Sequence, residues 1–211
     1  MEKNMRKLIV PAFISLDGVI QAPGGPEEDP NSGFHLGGWA TPYDDAAIGQ
    51  SQMDLFSQPF ELLLGRRTYD MFASFWPRVG PEAGSPIADL FNSVPKHVAT
   101  HRPDKLAWKN SHALKGNLAD AVRELKHGDG GNLLTQGSSE MVRQLLAAGL
   151  VDELRLMTCP VILGRGKRLF GDDAQALAFT LAQSISTPGG ALITRYVRAG
   201  EVRTGTWEAG E

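Results

Sequence analysis

Phe60-Glu61-Leu62-Leu63-Leu64-Gly65-Arg66-Arg67-Thr68-Tyr69-Asp70 is the stretch on which the reading of the chain turns. Its apolar run stops at a glycine and restarts with two arginines and a threonine, which predicts a buried strand, a tight turn and a helix start. The first turn of a helix leaves backbone N–H groups without intrahelical acceptors and carries a partial positive charge, so this junction suits an anion. Paired arginines favour phosphate. Taken alone, the stretch fits a plain turn with solvated arginines equally well.

The 211 residues suffice for one sizeable domain with a large core, and no shift in composition marks a second. We read 1–211 as one domain, with 1–6 and 200–211 as peripheral tails. A formal net charge of -3 and a pI near 6.0 give no general attraction to nucleic acid or to a membrane surface, so an anion site must be local. That suits a small cofactor better than a polymer. The single cysteine, Cys159, excludes an internal disulfide and a cysteine-based metal cluster, and its apolar surroundings in sequence suggest a buried, inert thiol. His35, His97, His101, His112 and His127 show no zinc spacing and no serine-hydrolase elbow is present, so no metal is expected. Lys3, Arg6 and Lys7 precede Leu8-Ile9-Val10 as in a signal peptide, but Pro11, Ser15 and Asp17 break that pattern. No apolar run is long enough to span a bilayer. The expectation is a soluble cytoplasmic protein without nucleic-acid or membrane partners.

On either side of the opening stretch, strands and helices alternate. Residues 7–16 read as a buried strand ending at Asp17-Gly18-Val19-Ile20. Residues 21–42 contain five glycines and four prolines, a composition that cannot hold a regular element and predicts a long surface loop. Loops of that length in compact domains are commonly functional. Trp39 within it could cover a substrate or anchor the loop to the core. Thr41 is placed as the cap of a helix running to about Phe56, with Pro42, Asp44 and Asp45 in its first turn. Helices are also expected over 68–75, over 87–92 and after Asn117; 96–100 and 132–135 read as strands. The second of these breaks at Gln136-Gly137-Ser138-Ser139 into a helix that stops at Gly149. Residues 153–163 and a hairpin of 179–186 with 191–198, joined at Thr187-Pro188-Gly189-Gly190, complete the chain. Strands alternating with helices, followed by hairpin strands, predict an α/β fold with a mostly parallel sheet and antiparallel C-terminal strands.

Three strand ends, at Gly65, Thr100 and Thr135, thus empty into polar or basic turns. In an open α/β sheet, ligands sit beyond the carboxyl ends of the strands, so parallel strands bring all three to one edge, with Arg66, Arg67 and Arg102 available to a phosphate. Neither a Walker loop nor a G-x-G-x-x-G fingerprint is present. The turn Gly164-Arg165-Gly166-Lys167-Arg168 could hold an anion but reads more simply as solvated.

Asp17-Gly18-Val19-Ile20, Leu64-Gly65-Arg66-Arg67-Thr68-Tyr69 and Thr135-Gln136-Gly137-Ser138-Ser139-Glu140 resemble, in order, segments of dihydrofolate reductase. Gly149-Leu150-Val151-Asp152-Glu153-Leu154-Arg155-Leu156, Pro160-Val161-Ile162-Leu163-Gly164 and Arg168-Leu169-Phe170 are more similar to the reductase domain of the bifunctional riboflavin-biosynthesis deaminase-reductase, without its zinc deaminase half. The resemblance implies a three-layer dihydrofolate reductase-like fold, with helices on both sides of the sheet, and an NADPH-dependent reductase acting on a pterin or ribosylamino-pyrimidine. A nucleotide-binding sensor without turnover is the alternative. By position, Gly65, Arg66, Arg67 and Thr68 would hold phosphate, Thr100, His101 and Arg102 would surround the adenosine 2′-phosphate, and Gln136, Gly137, Ser138 and Ser139 would face the pyrophosphate. Ile20 and Gln21 would border the nicotinamide. The family's cis peptide would fall at Gln136–Gly137. Asp45 or Asp44, with a bound water, are the candidate proton path, and Trp39 and Asp45 the candidate substrate contacts. The relatives pair through the region of 154–162, so a homodimer is expected.

Overall fold

The computed structural model describes residues 5–79, 85–171 and 174–207. Among these, the strands are β1 (Leu8–Ser15), β2 (Phe60–Gly65), β3 (Lys96–Ala99), β4 (Ser111–Ala113), β5 (Asn132–Leu134), β6 (Glu153–Cys159), β7 (Ala178–Ser186) and β8 (Leu192–Gly200). They form an eight-stranded sheet in the order β4-β3-β2-β5-β1-β6-β8-β7. From β4 to β6 the pairing is parallel, and β8 is antiparallel to both β6 and β7. The helices are α1 (Ala46–Phe56), α2 (Arg66–Phe75), α3 (Pro86–Ser93), α4 (Leu118–His127) and α5 (Ser139–Ala147).

The unbroken leucine run of β2 follows from burial on both faces. Successive strand residues point to opposite sides. Leu62 and Leu64 pack with Phe56, Tyr69, Phe72 and Phe91 from α1, α2 and α3. Leu63 joins Leu8, Val10 and Leu133 under Val122, Met141, Val142 and Leu145 of α4 and α5. All three leucines of β2 are fully buried, each stabilising the fold by about 1.5–3 kcal/mol. The sheet is thereby the middle of three layers, the dihydrofolate reductase-like α/β arrangement.

Several boundaries differ from the sequence reading. Thr41–Tyr43 is a separate short 3-10 turn, and α1 begins only at Ala46 with Asp45 as its cap. The Asp45 side chain reaches two helix N–H groups, which Thr41 lies too far upstream to do. Strand β4 is an addition to the expected elements, since three residues carry no readable periodicity. Strand β6 stops at Cys159, since Pro160 has no N–H for the ladder, and Ile162 beyond it is 75 % exposed. The expected tail 1–6 is not peripheral throughout: Arg6 is buried and ion-paired with Glu61 at 2.6 Å. Residues 1–4, 80–84 and 208–211 lie outside the described part. Finally, β6 lies inside the sheet with Leu154, Leu156, Met157 and Cys159 buried, so its apolar content is used by this chain's own core. Exposed apolar side chains on the β7–β8 hairpin include Leu181, Ile185 and Leu192. Among the described residues no helix is long and apolar enough to cross a membrane.

Candidate functional site

The carboxyl ends of β3, β2, β5, β1 and β6 share one edge of the sheet, and the three junctions meet there. The Gly65 N–H donates to the Gly137 carbonyl at 3.1 Å. A Cβ on Gly65 would stand 2.5 Å from Ser138 Oγ and 2.8 Å from Ser138 N; one on Gly137, where φ is +139°, would stand 2.9 Å from Thr68 Oγ1. Glycine is required at both positions because the starts of α2 and α5 abut. The cis peptide lies at Gly137–Ser138, one bond later than the resemblance placed it. The residues that meet α2 are Gly137 and Ser138, and Gln136 precedes that contact.

The helix caps divide the helices into two groups. Asp45 accepts from the N–H groups of Ala47 and Ile48 at 2.9 and 3.1 Å, Ser85 from Ala88 at 3.4 Å, and Asn117 from Ala119 and Asp120 at 2.9 and 3.4 Å. Helices α2 and α5 begin at Gly65 and Ser138 with no side-chain cap. Two neighbouring sets of first-turn N–H groups are therefore left for an external acceptor, the arrangement a pyrophosphate would use. Ser139 and Thr68 are buried in this contact. Arg67 projects from the start of α2, exposed and without a polar partner among the described residues.

Arg66 links these helix starts to the third junction. Its Nε reaches both Asp70 oxygens at 2.8 and 2.9 Å, Nη1 donates to Thr100 Oγ1 at 3.3 Å and to the Arg102 carbonyl at 3.1 Å, and Nη2 to the Lys105 carbonyl at 3.4 Å. His101 is exposed, and the Arg102 side chain is 59 % exposed.

The strand order switches between β5 and β1, the place where an open α/β sheet carries a crevice. Strand β5 ends at Leu134, whereas β1 continues beside β6 as far as Ser15. The carbonyls of Lys7 and Ile9 accept from Leu133 and Thr135, so odd-numbered residues of β1 direct their backbone toward β5. Past the end of β5, the carbonyl of Pro11 and both backbone groups of Phe13 consequently face the crevice. Sequence reading overlooked these two residues; the signal lay in strand parity together with the unequal lengths of β1 and β5.

The other half of the expected site is tied up internally. Gln21 is buried; its Nε2 donates to the carbonyls of Asp29 and Asn31 at 2.9 and 3.1 Å, and its Oε1 accepts from Lys167 N at 3.0 Å. Ile20, half-buried, donates its N–H to the Lys167 carbonyl. Trp39 is buried among Val19, Ala22, Phe34 and Cys159, and its Nε1 donates to the Gln21 carbonyl at 2.7 Å, so it anchors the long loop. The basic turn is not simply solvated: Lys167 pairs with Asp29, and Arg168 Nε donates to the Asp17 carbonyl at 2.9 Å. Asp17 itself accepts from Ser15 Oγ at 2.6 Å and from the N–H groups of Leu163 and Gly164 at 3.1 and 2.9 Å. These bonds, the Ser15 hydroxyl foremost, hold its carboxyl down at about 2. Burial drives the Cys159 thiol up to about 11, which leaves it inert.

Asp45 stands at the start of α1 beside the β7–β8 turn. Its carboxyl lies below the usual range, chiefly through the Ile48 N–H, and is ionised at neutral pH. Oδ2 is buried without a hydrogen-bond partner, although Thr187 and Gly189 face it and favour its charge. Asp44 next to it is exposed. Among the described residues no group of histidines, cysteines or carboxylates could hold a metal ion.

Fold and edge together define a reductase-like α/β protein of the dihydrofolate reductase type. Residues 6–193 match the family model of the RibD C-terminal domain, and the chain belongs to that family. It is 24% identical over 198 residues to the uncharacterized protein YyaP of Bacillus subtilis (strain 168), covering 92% of this chain and 95% of YyaP. A solved protein of Shewanella sp. PV-4, named for riboflavin biosynthesis, superposes with a TM-score of 0.62 at 25% identity, covering 92% of this chain and 99% of that one. Dihydrofolate reductase from Enterococcus faecalis, solved with NADP(H), gives a TM-score of 0.54 at 14% identity, covering 91% of this chain and 96% of that one. At that identity the likeness speaks for the fold.

Proposed function

We propose that the protein is an NADPH-dependent reductase that acts on a C=N or C=O group of a pterin, a pyrimidine or a ribosylamino-pyrimidine. The observation that carries this reading is the abutment of two uncapped helix starts at Gly65 and Ser138, beside the exposed cations Arg67 and Arg102. The family membership and the NADP(H) held by the Enterococcus reductase support it.

In this reading the N–H groups at the starts of α2 and α5 hold the pyrophosphate, with Thr68, Ser138 and Ser139 lining it and Arg67 neutralising its charge. Thr100, His101 and Arg102 surround the 2′-phosphate. The backbone groups of Pro11 and Phe13 hold the carboxamide of the nicotinamide ring in the crevice, with Ile20 and the 136–137 turn at its sides. When bound, the cofactor supplies the hydride. The chain's contribution is orientation and exclusion of water by the loop of 21–42, which Gln21 and Trp39 hold closed onto the 163–168 segment. Asp45, ionised at the start of α1 with Oδ2 enclosed against Thr187 and Gly189, would orient the water that supplies a proton, and Asp44 is the exposed alternative.

One observation favours a second reading, a sensor that binds the nucleotide without turnover: Gln21, Trp39 and one oxygen of Asp45 are already committed to the fold. Fluorescence titration with NADPH and NADH, followed by NADPH consumption with dihydrofolate and with the riboflavin-pathway pyrimidine, separates the two. Turnover with either substrate supports the reductase, tight NADPH binding without turnover supports the sensor, and binding of neither nucleotide overturns both. We also propose a homodimer through the exposed β7–β8 hairpin, which a monomer mass in light scattering would overturn.

A further inference from the structure

We propose that Arg66 does not itself read the 2′-phosphate of NADPH but positions Arg102 to do so, a proposal that rests on the cofactor reading above. A guanidinium has five N–H donors in a fixed fork. Arg66 uses them on Asp70, Thr100 Oγ1 and the carbonyls of Arg102 and Lys105, leaving one N–H on Nη2, and its side chain is only 18 % exposed. It is a clamp between α2 and the segment after β3. Arg102 is its complement. The Arg102 N–H donates to Thr100 Oγ1 at 3.0 Å while its carbonyl accepts from Arg66, so its backbone is held from both sides. Its side chain extends outward, 59 % exposed, with only the distant Asp70 oxygen at 3.9 Å for company among the described residues. A fixed base carrying a guanidinium with a single long ion pair is the build of a recognition residue; a guanidinium with four of its five donors spent on the fold is not.

The far end of the same segment is fastened to the same helix. Tyr69, buried one turn after Arg66, accepts the Trp108 N–H at 2.9 Å, and its ring lies 5.9 Å from the Arg66 guanidinium carbon. Trp108 donates its Nε1 to Asn92 Oδ1 at 2.8 Å and lies beneath the Lys96 ammonium at 4.3 Å. Arg66 and Tyr69 thus pin both ends of the 100–108 segment to α2. The Arg66 guanidinium can be lost without removing a phosphate ligand, yet Arg102 then loses its fixed base.

The test is a double-mutant cycle on the ratio of NADPH to NADH affinity, read by fluorescence titration of the whole protein. Arg102→Ala should lower that ratio about tenfold or more, the size of a lost charge-assisted contact, with NADH affinity nearly unchanged. Arg66→Ala should lower it severalfold in the native background and hardly at all in the Arg102→Ala background, because it acts through Arg102. Arg66→Lys, which keeps the charge and loses the fork, should behave like Arg66→Ala and carries the prediction if the alanine variant folds poorly. Hydrogen exchange at 101–107 should quicken in both Arg66 variants and not in Arg102→Ala. An Arg66 effect of equal size with and without Arg102, or an unchanged ratio in Arg102→Ala, overturns the proposal while leaving the cofactor reading in place. Failure of the native protein to bind either nucleotide overturns both.

Discussion

Two helix starts lie on the same edge of the same sheet and are built in opposite ways. Helix α2 begins at Gly65, offers no side-chain cap and faces another uncapped start, that of α5. Helix α1 begins at Asp45, whose carboxylate fills the N–H groups that an anion would otherwise take. The first arrangement is open to an external acceptor and the second is closed by its own side chain. The contrast extends to the surroundings: Arg67 and Arg102 project freely beside α2, whereas Gln21, Trp39 and Lys167 beside the long loop are bound to other parts of the chain. One half of the edge leaves two uncapped helix starts and two exposed arginines. The other half has spent most of them on holding a loop in place.

The largest effect should come from closing the open half. Gly65→Ala brings a methyl group against Ser138 Oγ and the backbone N of Ser138, which cannot yield without moving α5. We expect a loss of about 2–3 kcal/mol in denaturant unfolding and a fall of at least about tenfold in NADPH affinity. Native-like stability and binding would mean that the two helix starts are not held as tightly as described.

Next in size is a pH effect at Lys96, the first residue of β3, at the opposite end of that strand from the carboxyl edge. It is fully buried, with its ammonium on the carbonyls of Asn92, Val94 and Lys109 and no carboxylate partner among the described residues. Burial, with a smaller contribution from Lys109, brings it down from 10.5 to about 8. Between those values the unfolded chain holds the proton and the folded one has shed it, so stability rises with pH. Relative to Lys96→Met, the native protein should gain about 1.4 kcal/mol between roughly pH 7 and 9, measured by urea unfolding. A difference flat in pH would contradict a buried ammonium.

On the closed half, Trp39→Phe keeps the apolar burial and removes the bond to the Gln21 carbonyl. It should cost about 1 kcal/mol and raise the proteolytic susceptibility of 21–42. The smallest expected effect is at Asp17. Because its carboxyl is held at about 2, below the ordinary 3.8, its contribution is complete above the ordinary value and lost as pH falls through the lower one. The stability difference between native protein and Asp17→Asn should therefore be constant near neutrality and close progressively below about pH 4. Equal differences at pH 7 and pH 2.5 would show that Asp17 acts other than by its charge.

How much of this was legible differs between the halves for the same reason that they behave differently. The half proposed to hold the cofactor is built from contiguous signals: Leu62-Leu63-Leu64 into Gly65, Leu133-Leu134 into Gly137, each a strand that must be buried followed by a turn that must be tight. The half proposed to meet the substrate depends on contacts across the chain. Lys167 meets Gln21 across 146 positions and Leu163 meets Asp17 across the same span, so nothing near Gln21 in sequence announces that its amide is occupied. Cap identity fell between the two: Asp45 was visible as an acid in a first turn, but whether Thr41 or Asp45 capped the helix depended on where the loop delivered the chain.

The sequence alone therefore determined the alternation of strands and helices, the apolar faces that make three layers and the glycines at the two abutting junctions, because each follows from local backbone geometry and the burial of contiguous apolar residues. Only the tertiary structure decided which polar groups remained free. Arg66 and Arg102 are alike in composition and opposite in availability, since the carbonyls and carboxylate that occupy most of the Arg66 donors are gathered from separate segments when the sheet edge forms.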